Sequence, residues 1–288
     1  MIYTYEKGSD FMTTIAIMYD FDKTLCTKDM QEYGFIPSLN MSPAEFWQNV
    51  QMQTKEHNMD SCLSYMYYMV KCANEKGMPI TRSQLTSQGK DIELFPGVED
   101  WFTRINAYGW KRGIQIEHYI ISSGLKEIIE GSPIAHEFER IYAGEFHYNE
   151  DGHADWPAMA VNYTNKTQFM FRINKGALEL WDDAINEQVD ESDRRIPFTN
   201  MIYLGDGMTD VPCMSLVKRY GGHSIAVYQK KKDVCKKLID QNRINYYAPA
   251  DYRANHQLET ILFNLIDKVA LDDKLAEITL AQRKKDAR

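Results

Sequence analysis

Short apolar runs that stop abruptly at polar or glycine-containing turns alternate along this chain with longer stretches whose apolar residues recur at helical spacing. Residues 15–19 have the length and composition of a strand buried on both faces, which in a parallel sheet reads as continuous rather than alternating hydrophobicity. Similar runs at 116–121, 141–144, 200–204, 223–228 and 245–248 predict further strands. Helical spacing predicts helices over 98–108, from 125, from 166, over 230–240 and from about 255. The last carries Leu258, Ile261, Leu262, Leu265 and Ile266 on one face and a charged end over 283–288, where fraying is expected. Asn149-Glu-Asp-Gly152 predicts a hairpin over 145–164.

Between residues 26 and 94 the pattern changes and strands disappear. Ser42-Pro-Ala-Glu45 and Thr81-Arg-Ser-Gln84 are capping signatures, and a helical pattern over 60–75 ends at Gly77 and Pro79. An all-helical insert follows from these signals. Its aromatic and methionine stripe, Tyr65, Met66, Tyr68 and Met69, reads as core packing. Outside the insert, strands alternating with helices imply an α/β protein with a parallel sheet wound by right-handed crossovers and ligands bound at its carboxyl edge. The expected organisation is a three-layer core domain, 1–25 and 95–288, with a small inserted α-helical domain over 26–94. Residues 1–13 read as a loosely specified lead-in.

Composition narrows the function classes. At 288 residues, with 44% hydrophobic and 26% charged residues, the chain can bury a sizeable core and is expected to be ordered. A net charge of -8 argues against a general nucleic-acid or anionic-membrane surface, while leaving room for a local basic pocket. Five cysteines in no C-x-x-C pair fit reduced thiols and a cytoplasmic setting. No run approaches a membrane span, and the start of the chain lacks a signal peptide's order of basic then apolar residues. The seven histidines show no ligand spacing, so none is assigned to a metal.

The candidate chemistry sits where the strands stop. The first run ends at Asp20 and Asp22, two apart on extended backbone and therefore on one face, able to converge on a ligand beyond the strand. Two such acids repel unless a hard cation such as Mg2+ takes oxygen ligands from them. The strand over 116–121 ends at Ser122-Ser123-Gly124 before a predicted helix, so a turn there offers a hydroxyl and backbone N–H groups to an oxyanion. The strand over 200–204 ends at Gly205-Asp206-Gly207, with Asp210 close behind. The glycines are expected to let the backbone turn tightly and bring Asp206 to a metal held near Asp20.

Asp20-Phe-Asp-Lys-Thr24 resembles the Asp-x-Asp-x-Thr signature of the phosphatases in the haloacid dehalogenase superfamily, and Gly205-Asp-Gly-Met-Thr-Asp210 resembles that superfamily's fourth motif. An all-helical insert between the first and second motifs is similar to the cap of the branch that includes the phosphoserine phosphatases. The resemblance implies a Rossmann-like core and a Mg2+-dependent phosphomonoester hydrolase acting on a small phosphorylated metabolite through an aspartyl-phosphate. In it Asp20 is the nucleophile and Asp22 the general acid and base. Mg2+ is held by Asp20, Asp206 and the Asp22 backbone carbonyl, with Asp210 behind them. Ser122, with the Ser123 and Gly124 amides, and a lysine hold the phosphoryl group, and Thr24 orients the first loop. Lys166, at a predicted helix start, is the preferred lysine. Lys175, followed by Gly176, is the alternative because it matches a Lys-Gly pair seen in phosphoserine phosphatases. The superfamily's dehalogenases usually lack the second acid and its transport ATPases replace it with threonine, so both are disfavoured. A phosphotransferase or mutase, or a non-catalytic phosphate-binding module on the same fold, remains as the alternative. The cap shows no matching set of residues for the amino and carboxylate groups of phosphoserine.

Overall fold

The computed structural model describes residues 13–286. All but the last residue of the expected lead-in, and the last two of the charged end, lie outside the described residues. The strands are β1 (Thr13–Tyr19), β2 (Ile114–Leu125), β3 (Arg140–Tyr148), β4 (Ala154–Met159), β5 (Met201–Gly205), β6 (His223–Tyr228) and β7 (Tyr246–Pro249). They form one seven-stranded sheet in the order β4-β3-β2-β1-β5-β6-β7. All neighbours run parallel except β4, which folds back antiparallel on β3 through the expected hairpin. β1 lies centrally, with β2 on one side and β5 on the other, so the ends of these three strands share one edge.

Continuous hydrophobicity in β1 has its expected cause. Ile15, Ile17 and Tyr19 face one packed layer while Ala16 and Met18 face the other, and all are fully buried. The first layer is built by α5 (Val98–Trp110) and α10 (Gln257–Asp286), through Trp101, Phe102, Ile105, Leu258, Leu262 and Ile266. The second is built by α7 (Lys166–Lys175), α8 (Val211–Arg219) and α9 (Asp233–Asp240), through Phe169, Ile173, Met214, Val217 and Leu238. All five cysteines are buried and unpaired. Among the described residues no helix is long and apolar enough to cross a membrane.

The segment after β1 is helical, as its caps predict. α1 (Phe35–Ser38) is short; α2 (Pro43–His57) starts from a Ser42 hydroxyl that accepts from the Glu45 N–H. α3 (Ser61–Glu75) starts from the Asp60 carboxylate, and α4 (Arg82–Gln88) from the full Thr81–Gln84 capping box. Entry and exit of this segment lie side by side: the Thr27 N–H donates to the Glu93 carbonyl and the Phe95 N–H to the Leu25 carbonyl. Its buried residues Phe46, Met66, Met69 and Leu85 join the first layer rather than forming a core of their own.

Three boundaries differ from the sequence-based expectation. β2 continues through Ser122-Ser123-Gly124 to Leu125, so these residues are extended strand, not a turn, and α6 (Lys126–Glu130) is a single short helix after them. The β2–β3 register shifts between Ile121 and Leu125, and that irregularity stands where glycine had suggested a turn. α9 begins at Asp233 rather than Lys230. α10 stays helical through Asp286, past the point where fraying was expected.

Candidate active site

Asp20 is the first residue beyond β1, and its backbone N–H still pairs with the Leu204 carbonyl of β5. Strand pairing therefore holds the acid in place. Its Oδ1 accepts from Lys166 Nζ at 2.9 Å, and the same ammonium donates to Asp210 Oδ1 at 2.8 Å. All three residues are buried, Lys166 completely. The Tyr203 hydroxyl adds a 2.8 Å bond to Asp210 Oδ1, so Asp210 is oriented from two directions. One carboxylate oxygen each from Asp20, Asp206 and Asp210 lies within 4.8 Å of the others, and this is the group suited to a metal ion among the described residues.

The electrostatics of this cluster are those of acids crowded without enough cations. Burial, only partly offset by Lys166, raises the Asp20 carboxyl to about 6, and Asp210 adds to the rise. Burial and then the charges of Asp20 and Asp210 raise Asp206 to about 8. Burial disfavours the charge on Lys166, yet Asp20 and then Asp210 hold its ammonium well above the ordinary lysine range. Asp22 keeps part of its surface open, but the protein around it, followed by Asp29 and Asp20, pushes its carboxyl well above the ordinary range. The Met30 N–H accounts for one acceptor of Asp22, at 2.9 Å. The Asp20 and Asp206 carboxylates, converging at one edge and both hard to ionise alone, are a hard oxygen donor set that fits Mg2+.

A cleft of about 610 Å3 opens over this cluster. Asp20, Asp22, Ser122, Ser123, Lys166, Asp206 and Gly207 line it from the sheet side. Ser122 is fully buried and its Oγ accepts the Gly124 N–H at 3.0 Å, so that amide serves the serine rather than facing the cleft as a free donor. The Thr24 hydroxyl is buried without a partner and Thr24 does not line the cleft; its backbone closes the first loop through Phe21 and accepts from the Tyr252 hydroxyl. The structure thus brings Asp20, Asp22, Ser122, Lys166 and Asp206 to one space and leaves Thr24 and Gly124 behind it. Lys175 is elsewhere, donating to the Ile185 and Glu187 carbonyls at 2.6 Å each.

The two glycines around Asp206 act differently from the expected tight turn. Neither has a left-handed backbone, and Gly207 is extended. Gly205 matters because a Cβ there would come within 2.5 Å of Asp210 Oδ2, whereas nothing lies closer than 3.8 Å to a Cβ on Gly207. Gly205→Ala is therefore expected to cost about 1–3 kcal/mol in denaturant melts, as overpacking does. Gly207→Ala should stay within about 0.5 kcal/mol.

Several lining residues escaped the sequence reading. Trp47, Gln51, Thr54, Lys55, Ser61 and Tyr65 reach the cleft from α2 and α3. Tyr65, read as packing, is 5% exposed and does pack, but its hydroxyl also donates to the Ser123 carbonyl at 2.8 Å and so ties α3 to β2 beside the site. Met66 and Met69 pack as expected. Tyr203, the donor to Asp210, carried no signal beyond its place in an apolar strand.

No family model matches the chain. An uncharacterized protein of Borreliella burgdorferi is 28% identical over 285 residues, spanning 89% of this chain and 97% of that one. Among solved structures, a HAD family hydrolase from Salmonella enterica serovar Typhi is similar with a TM-score of 0.56 and 19% identity, over 86% of this chain and 69% of that one. A substrate-bound phosphoserine phosphatase has a TM-score of 0.55 and 13% identity, over 87% and 97%. A probable phosphoserine phosphatase from Vibrio cholerae has a TM-score of 0.56 and 12% identity, over 92% and 68%.

Proposed function

We propose that this chain, which has the haloacid dehalogenase fold, is a Mg2+-dependent phosphomonoester hydrolase for a small phosphorylated metabolite. The observation that carries the reading is the buried Asp20–Lys166–Asp210 bridge beside Asp206, at the carboxyl ends of β1 and β5 and open to one cleft. A core that only packed would not bury two acids on one lysine with a third acid beside them, because their desolvation outweighs what the pairing returns.

In this reading an Asp20 carboxylate oxygen attacks phosphorus, and the bond from phosphorus to the leaving oxygen breaks as Asp22 gives that oxygen its proton. Asp22, now ionised, takes a proton from water. The water oxygen attacks the aspartyl-phosphate, releasing phosphate and restoring Asp20. The crowding that makes Asp22 hard to ionise suits it to begin as the acid. Lys166, with three N–H donors of which two are engaged by Asp20 and Asp210, has one left for a phosphoryl oxygen. The Ser122 hydroxyl would donate to another. Asp20 and Asp206, with the Asp22 carbonyl, would hold Mg2+, which when bound supplies positive charge opposite the phosphoryl oxygens. Asp210, engaged by Lys166 and Tyr203, would keep Lys166 in position. The helical segment over 26–94 would act as the cap that excludes water during transfer.

Phosphate release from an aryl phosphate tests this reading: it should require Mg2+ and stop with chelator. Phosphate binding without turnover would point instead to a binding module. Mg2+ should also raise the melting temperature, and more at pH 8 than at pH 5. The reason is that protons compete for carboxyls raised to about 6 and about 8. A Mg2+ shift that is equal at both pH values, or absent, would count against the assigned donors.

A further inference from the structure

The cleft contains a polar group that phosphoryl transfer does not use. Gln31 lies on its wall, is 2% exposed, and its carboxamide makes no hydrogen bond within the described residues; Oε1 is fully buried and unpartnered. Ser123 Oγ, on the same cleft, is also buried, with the Cys62 thiol beside it. Buried polar groups are rarely left unpartnered, and a neutral carboxamide that offers both a donor and an acceptor is matched by a hydroxyl group, which also does both.

The charged residues around the cleft point the same way. Apart from the acids of the catalytic cluster, the lining carboxylate is Asp29, and it is already paired with Lys23 at 2.6 Å. Lys55 stands exposed on α2 at the rim, not in the buried part. Apart from the catalytic acids and Lys55 at the rim, an ammonium or carboxylate on the leaving group would find no unpaired charge in the lining of this cleft among the described residues. The rest of the cap side is neutral or aromatic, through Trp47, Gln51, Thr54, Ser61 and Tyr65, and Tyr163 adds a further aromatic from outside the cap.

We infer that Gln31 is a specificity residue whose carboxamide hydrogen-bonds hydroxyl groups of the leaving group, and that the substrate class is a phosphorylated neutral polyol or sugar rather than a phosphorylated amino acid. This rests on the phosphatase reading above. The test compares a sugar phosphate, glycerol 3-phosphate, phosphoserine and phenyl phosphate in the full chain with Mg2+, for the unaltered protein, Gln31→Leu and Gln31→Glu. The unaltered protein should prefer the hydroxylated substrates to phosphoserine in kcat/KM. Gln31→Leu should lower kcat/KM for them roughly 10–100-fold, chiefly through KM, and at least about tenfold further than for phenyl phosphate. Gln31→Glu, which keeps an acceptor and the side-chain shape, should recover part of the loss and also shows that position 31 tolerates change.

A preference for phosphoserine, or an equal loss on every substrate, overturns the inference while leaving the phosphatase reading intact. If no phosphomonoester is turned over, that reading fails instead. Calorimetric binding of glycerol 3-phosphate and the sugar phosphate to the unaltered protein and Gln31→Leu then decides the role of Gln31: tenfold weaker binding in the variant supports it, and unchanged binding, as when water alone satisfies the carboxamide, rejects it.

Discussion

Asp20→Asn should lower phosphatase turnover by about 10^4-fold or more, since loss of a nucleophile removes the covalent route altogether. Its effect on stability should have the opposite sign. The Asp20 carboxyl is raised to about 6 by burial, against the pull of Lys166. A carboxyl raised on folding contributes stability that is fully present below its unfolded value, near 4, and is lost as the pH climbs through its folded value. Asparagine carries no charge to desolvate and does not suffer that loss. In chelator, the variant should therefore match the unaltered protein near pH 4 and melt about 2–4 °C higher at pH 8, where Lys166 keeps Asp210 as its partner. Turnover that survives the substitution would refute Asp20 as nucleophile. A variant that melts lower at pH 8 would show that the Lys166 bridge outweighs the burial cost.

The second large effect belongs to Lys166. Lys166→Met leaves Asp20 and Asp210 facing one another in a buried site without their shared cation. Breaking such a pair by removing one partner costs about 3–5 kcal/mol, and this loss is expected at pH 8. It should shrink as the pH falls and Asp20 takes up a proton, and it should do so above the pH of about 6 that applies with Lys166 in place, because Lys166 is what holds the Asp20 carboxyl down to that value. Activity should drop about 10^2–10^3-fold through the loss of a positioned positive charge. Arginine is not expected to rescue it, because its broad planar fork does not fit a completely enclosed point-charge site. Lys175→Met offers the contrast: its ammonium holds the 185–187 loop away from the cleft, so activity should stay within about twofold and stability within about 1 kcal/mol. Equal losses of turnover in both variants would reopen the choice between the two lysines.

How much of this was legible depended on the range over which each feature is decided. Residues 15–19 could be read as a doubly covered strand because burial on both faces constrains every position of a short segment at once. The caps at Ser42 and Thr81 were legible for the same local reason, since the bond satisfied lies within three residues. The Ser122–Gly124 segment misled because serine and glycine favour turns when nothing else competes. Here β2 is paired with β1 up to Ile120 and with β3 up to Ile121 and again at Leu125, so the segment is held extended between its two paired ends, with a register shift absorbing the irregularity. Gly205 misled in a subtler way: the position demands space for Asp210, not backbone freedom.

Alternating strands and helices, with acids placed where apolar strands stop, were enough to determine a parallel α/β sheet with its candidate chemistry at the carboxyl edge. These are properties of short segments, set by backbone periodicity and burial. Only the tertiary structure decided that Lys166 rather than Lys175 meets Asp20, that Tyr203 and Lys166 share Asp210, and that Gln31 stands unpartnered on the wall of the same cleft. Those contacts join residues from 7 to 146 positions apart or leave a group without any partner. No local pattern encodes them, because each depends on where the crossovers return the chain.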